Sequence, residues 1–159
     1  MDGKLFLHTA GFLLSKGSNE ADYRSAVSRA YYACFLEARS VVFHTCLPQT
    51  KNMLDIGRLK KIRHEKLLEC LKATKDSAVQ QLGDDLAGLC SDRNAADYKM
   101  DSPCNHADAR KAVETADIVL KDLAQIGASR IAKAVDDYAS VISGNNQPQQ
   151  PFPPPAENE

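Results

Sequence analysis

Hydrophobic positions recur at steps of three and four along most of the chain, the spacing that gathers side chains on one face of an α-helix. Leu5, Leu7, Phe12, Leu13 and Leu14 predict a short first helix that stops at Gly17. Ser18 or Asn19 can cap the next helix by accepting from its free backbone N–H groups. From Tyr23 the pattern runs through Ala26, Val27, Ala30, Tyr31, Cys34, Phe35, Ala38, Val41 and Val42, predicting a long amphipathic helix. Its core face carries small residues (Ala26, Ala30, Cys34, Ala38) that let another backbone come close, with aromatics filling beside them.

Residues 45–58 hold Pro48, Thr50, Asn52 and Gly57 and read as a loop with some local turn. A third helix is expected over 59–74 and a fourth over 77–96, the latter with Val79, Leu82, Leu86 and Leu89 in phase. "MDSPCN" breaks the chain, and a fifth helix starts near His106 with Ala109, Ala112, Val113, Ala116, Val119, Leu120 and Leu123 on one face. The last periodic segment, Ile131, Ala134, Val135, Tyr138 and Ile142, either extends that helix past Gly127 or folds back as a short sixth. No stretch alternates strongly enough to predict a strand. The fold class is all-α, an antiparallel bundle of four to five helices.

At 159 residues the chain is sized for one core. Residues 1–143 read as the helical domain. Residues 144–159, "GNNQPQQPFPPPAENE", hold five of the seven prolines and no Lys or Arg, and read as a disordered, partly polyproline tail. No apolar run approaches the ~20 residues of a membrane span, and the N-terminus lacks a basic leader with a small-residue cleavage site, so the expected location is the cytoplasm.

Candidate chemistry narrows by elimination. Cys34, Cys46, Cys70, Cys90 and Cys104 are odd in number and widely spaced, which fits reduced, core-filling thiols rather than a zinc site or a disulfide framework. His8, His44, His64 and His106 are equally scattered, so no metal or cofactor is called for. The net charge of −1 argues against bulk coating of nucleic acid, yet residues 51–75 carry eight Lys/Arg against Asp55, Glu65 and Glu69. That local +5 sits on a remainder of −6. Within it, Arg58, Lys60, Lys61 and Arg63 are candidate contacts for an RNA backbone, or simply a solvated helix face.

The sharpest local question is Arg93, which continues the apolar face of Val79, Leu82, Leu86 and Leu89. It reads either as half of an ion pair, with Asp97 one turn on or with Asp22 or Glu37 of the second helix, or as a charge aimed into a cleft. Tyr31 and Tyr32 fit a core or a dimer interface better than a base-stacking platform.

Two segments carry a resemblance. "SRAYYACFLEARSVV" (28–42) and "RNAADYKMDSPCNHADARKAVETADIVLKDL" (93–123), in that order, resemble the HEPN superfamily, the higher-eukaryote and prokaryote nucleotide-binding helical domains, over roughly residues 5–127. His64, opening "HEKLLECL", stands where such proteins often carry a histidine ahead of their third helix. The resemblance implies a bundle that dimerises, and an activity found in many such domains, metal-independent cleavage of RNA in toxin–antitoxin and other defence systems. The motif behind that activity is an Arg, often with a polar residue after it, then a His four to six residues later.

Arg93 and Asn94 match the start of this motif; the His is missing, and Tyr98 occupies its slot. A tyrosine with a pKa near ~10 is a poor general base at neutral pH, so a proton carrier has to come from His64 or His44. The implied catalytic set is Arg93 for charge stabilisation, Asn94 and Asp97 for orientation, Tyr98 in the motif slot and His64 for proton transfer. Tyr98 also resembles, loosely, a tyrosine that a nucleotidyltransferase antitoxin modifies in some relatives. The alternative is a non-catalytic module that binds a nucleotide, RNA or a nucleotidyltransferase partner.

Overall fold

The computed structural model describes residues 3–53 and 64–145. Among them seven helices appear and no strand: α1 (Gly3–Lys16), α2 (Glu20–Thr45), α3 (Pro48–Met53), α4 (His64–Lys72), α5 (Ser77–Tyr98), α6 (His106–Ile126) and α7 (Ala128–Asn145). None is long and apolar enough to cross a membrane.

Local sequence accounts for most boundaries. Asn19 caps α2 by accepting from the Asp22 N–H, and Asp76 caps α5 by accepting from Ala78 and Val79. Asn105 and Asp108 close a reciprocal capping box at the start of α6. Gly127 decides between the two readings of the last segment. Its φ of 83° lies in the left-handed region that Gly enters without steric cost, so α6 ends there and α7 is a separate helix. α7 takes in Gly144 and Asn145, which the sequence assigns to the tail; the rest of the tail, 146–159, lies outside the described residues.

The expected loop over 45–58 contains a short helix. Pro48 opens α3, a position where its missing N–H costs nothing and its fixed φ suits a first turn. Asp136 of α7 accepts from the Leu47 N–H at 3.0 Å and from the hydroxyl of Thr50, which is 1% exposed. These polar anchors dock α3 on α7, and apolar periodicity gave no sign of them.

α2 is the centre of the bundle, packed against α1, α5, α6 and α7. Its Ala26, Ala30, Cys34 and Ala38 are buried, and Cys34 comes close enough to α6 to donate from Sγ to the Ala116 carbonyl at 3.4 Å. Leu82, Leu86 and Leu89 of α5, Leu67 and Leu71 of α4 and Ile131 of α7 fill the space around them. Full burial of each contributes on the order of 1.5–3 kcal/mol. α4 and α5 meet tightly at Gly83, where a Cβ would stand 2.9 Å from both Leu71 Cβ and the Lys72 N. The thiols of Cys34, Cys46 and Cys70 are buried, and burial pushes each of them up to about 12.

Candidate functional site

The crossing of α2 and α5 brings Ser28, Tyr31 and Tyr32 against the last turns of α5, which carry Cys90, Arg93, Asn94, Asp97 and Tyr98. Arg24, which the sequence reading did not single out, fixes the end of α5. Its Nη1 donates to the Ala96 carbonyl at 2.6 Å and its Nη2 to the Ser102 carbonyl at 2.7 Å, while Glu20 Oε1 accepts from Nη2 at 2.6 Å. The carbonyls of a helix's last turn lack intrahelical donors, and a cation there also opposes the negative end of the helix dipole. The signal for Arg24 was its place one helical turn before Ser28 and two before Tyr31; without the far end of α5 in view, that place carried no meaning.

Arg93 forms the ion pair with Asp97 that its sequence position suggested. Its Nε lies 2.6 Å from Asp97 Oδ2, an ionic contact whose angle departs from a directed hydrogen bond. Nη1 donates to Asn94 Oδ1 at 2.9 Å, and Nη2 donates to the hydroxyls of Tyr32 at 3.1 Å and Tyr98 at 3.4 Å. The guanidinium carbon is 5.4 Å from the Tyr32 ring centroid and 5.2 Å from that of Tyr98, within cation–π range of both. Partial burial works against the charge; Tyr32, Asp97 and Tyr98 outweigh it, so Arg93 holds its proton even more firmly than usual. One Nη1 hydrogen has no acceptor among the described residues. Asp22 and Glu37 are not partners of Arg93: Asp22 accepts from the Ser18 and Asn19 side of the α1–α2 turn, and Glu37 accepts from the Gly3 N–H at 2.8 Å.

His64 is the first residue of α4. Its imidazole stacks on Phe35 with ring centroids 3.9 Å apart and planes 9° from parallel, and meets Tyr32 edge-on at 5.9 Å. Nδ1 shares a hydrogen bond with the Tyr31 hydroxyl. Burial lowers the His64 pKa, and the positive charges of Arg93 and Arg39 lower it further. The imidazole is therefore neutral at pH 7. Tyr31 is pushed the other way by burial and by its hydrogen bond with Cys90, and stays protonated.

The structure thus places Asn94, Asp97 and Tyr98 around Arg93, and Arg93 and His64 both against Tyr32. Tyr98 is 71% exposed. His44 does not join them; it is exposed near the end of α2 and bonds to Ser40 within its own helix. His106 packs edge-on to Tyr23 at the start of α6. Arg58, Lys60, Lys61 and Arg63 lie outside the described residues. Among the described residues no three His, Cys, Asp or Glu side chains are grouped as metal ligands.

The HEPN domain family matches residues 2–126, and the chain belongs to that family. No curated protein and no solved structure matches it. The matched span ends at the last residue of α6, so α7 is packed onto the family's bundle from outside the matched region.

Proposed function

We propose that this protein binds single-stranded RNA at the Arg93–Tyr32–His64 cleft and cuts it without a metal, as a homodimer in the cytoplasm, in a prokaryotic toxin–antitoxin or defence setting. The observation that carries the reading is the place of His64. The sequence motif lacks its histidine, and an imidazole from another helix meets the same Tyr32 ring that the Arg93 guanidinium lies over.

In this reading Arg93 receives a non-bridging oxygen of the scissile phosphate through its free Nη1 hydrogen and stabilises the charge that builds on the phosphorane. Asp97 and Asn94 hold the guanidinium. His64 removes the proton of the ribose 2′-OH as that oxygen attacks phosphorus. The bond to the 5′-oxygen breaks and that oxygen takes up a proton from solvent water, leaving a 2′,3′-cyclic phosphate and a 5′-hydroxyl, and His64 gives its proton back to solvent. The base role needs the Nδ1–H tautomer, with Nδ1 donating to the Tyr31 oxygen and the lone pair on Nε2. Exposed Tyr98 against Arg93, and exposed Met100 just past the end of α5, supply apolar surface for the dimer contact.

A second reading is a module that binds a nucleotide, RNA or a nucleotidyltransferase partner without turnover. Tyr98 in the histidine slot and the Arg93–Asp97 pair favour it, since neither requires chemistry. The deciding experiment incubates the protein with end-labelled single-stranded RNA in EDTA. Fragments ending in 2′,3′-cyclic phosphate support the nuclease, binding without fragments selects the module, and neither binding nor fragments contradicts both.

A further inference from the structure

We infer that Arg39 forms a second phosphate-binding point in the same site, so that Arg93 and Arg39 hold neighbouring phosphates of one strand beside His64. The inference rests on the reading of the cleft as an RNA site and adds a residue that neither the sequence motif nor the Arg93 cluster points to.

Its basis is geometric. Tyr32, Phe35 and Arg39 follow one another at helical spacing along one stripe of α2. Arg93 lies over the Tyr32 ring, His64 lies flat on Phe35, and the Arg39 guanidinium is 5.7 Å from the Phe35 centroid. Phe35 therefore carries both the imidazole and the Arg39 guanidinium, about one helical turn along α2 from the Tyr32 ring that carries Arg93.

The two arginines are held differently. Arg24, Arg93 and Arg130 each pair with a carboxylate. Arg39 has no carboxylate partner among the described residues; it is half-buried and held against an aromatic ring, with its charge felt at His64. A guanidinium packed on a ring gives up less conformational freedom on binding an anion than a lysine on a free stem, and its planar fork suits a phosphate. A single phosphate leaves Arg39 uncompensated, whereas two phosphates of one strand neutralise both arginines.

The test compares wild type with Arg39→Gln, Arg39→Lys and Arg93→Gln, each of verified helicity, in binding of a short single-stranded RNA across a salt series. Each phosphate contact on a single strand contributes about 0.7 to the slope of log affinity against log salt. The expected result is a slope smaller by about 0.7 for Arg39→Gln, with most of it restored in Arg39→Lys. A second readout is the NMR titration of His64 with adenosine 3′,5′-bisphosphate: the bound anion raises the histidine pKa in wild type and raises it less in Arg39→Gln. If Arg93→Gln lowers the slope while Arg39→Gln matches wild type in both readouts, the cleft binds RNA and the Arg39 site is overturned. If wild type shows neither salt-dependent binding nor a response of His64, the RNA reading falls and the Arg39 site with it.

Discussion

Asp97 holds Arg93 from one helical turn away, its Oδ2 2.6 Å from Nε, and so fixes the plane in which the guanidinium meets Tyr32 and Tyr98. The two side chains are 16% and 26% exposed, which places the pair between a solvent-screened surface bridge and a buried one. Surface pairs contribute about 0–1 kcal/mol. A double-mutant cycle with Arg93→Ala and Asp97→Ala, followed by urea denaturation, is expected to give a coupling of about 1 kcal/mol. Asp97→Asn, which keeps the shape without the charge, is expected to lower RNA affinity less than Arg93→Ala does.

Arg24 ties the end of α5 to the start of α2. Arg24→Ala strips donors from the carbonyls of Ala96, Lys99 and Ser102 and leaves the end of α5 free to fray. The expected cost is about 2 kcal/mol, the range for hydrogen bonds from a charged group. A shift of the urea midpoint at constant slope measures it, and an unchanged midpoint would show that water replaces Arg24 without loss.

Gly83 sets how closely α4, and with it His64, approaches α5. A Cβ there meets the Leu71 side chain and the Lys72 backbone N at 2.9 Å, so the helices must separate to admit it. Gly83→Ala is expected to destabilise by about 1–3 kcal/mol, the range for overpacking a filled core, even though alanine is the better helix former. Thermal unfolding checks this. A Tm at or above wild type would mean that the two helices slide apart at no cost.

The pKa of His64 in the fold is below its ordinary value, first through burial and then through Arg93 and Arg39. A histidine with a depressed folded pKa leaves stability intact above its unfolded value near ~6.5 and withdraws it as pH falls through that value towards the folded one. Wild type is therefore expected to lose more stability than His64→Gln between pH 7 and pH 5. In the nuclease reading the cleavage rate has its acid limb below pH 6.5, and His64→Gln lowers the rate by about 10²–10⁴-fold. Equal stability profiles for the two proteins would contradict the burial of the imidazole.

Much of this was legible in the chain. The 3,4 spacing located α1, α2, α5 and α6, because each buries one continuous stripe, and the Arg93–Asp97 pair followed from i,i+4 geometry on one helix. α3 was missed because its anchors are polar: Thr50 and Asp136 meet from positions 86 residues apart. The Gly127 break stayed open in the sequence because the apolar phase continues on both sides of it. The site was half legible. Arg93, Asn94, Asp97 and Tyr98 form one run, but the stacking of His64 on Phe35 and the bracing of α5 by Arg24 depend on how helices cross, which periodicity does not encode.

The most direct test of the central claim is the initial rate at which wild type, Arg93→Ala and His64→Gln cleave one labelled single-stranded RNA in EDTA, with helicity and association state matched. The account predicts cleavage by wild type and its loss in both variants. Cleavage that persists in either variant, or none by wild type, would contradict a nuclease built from Arg93 and His64.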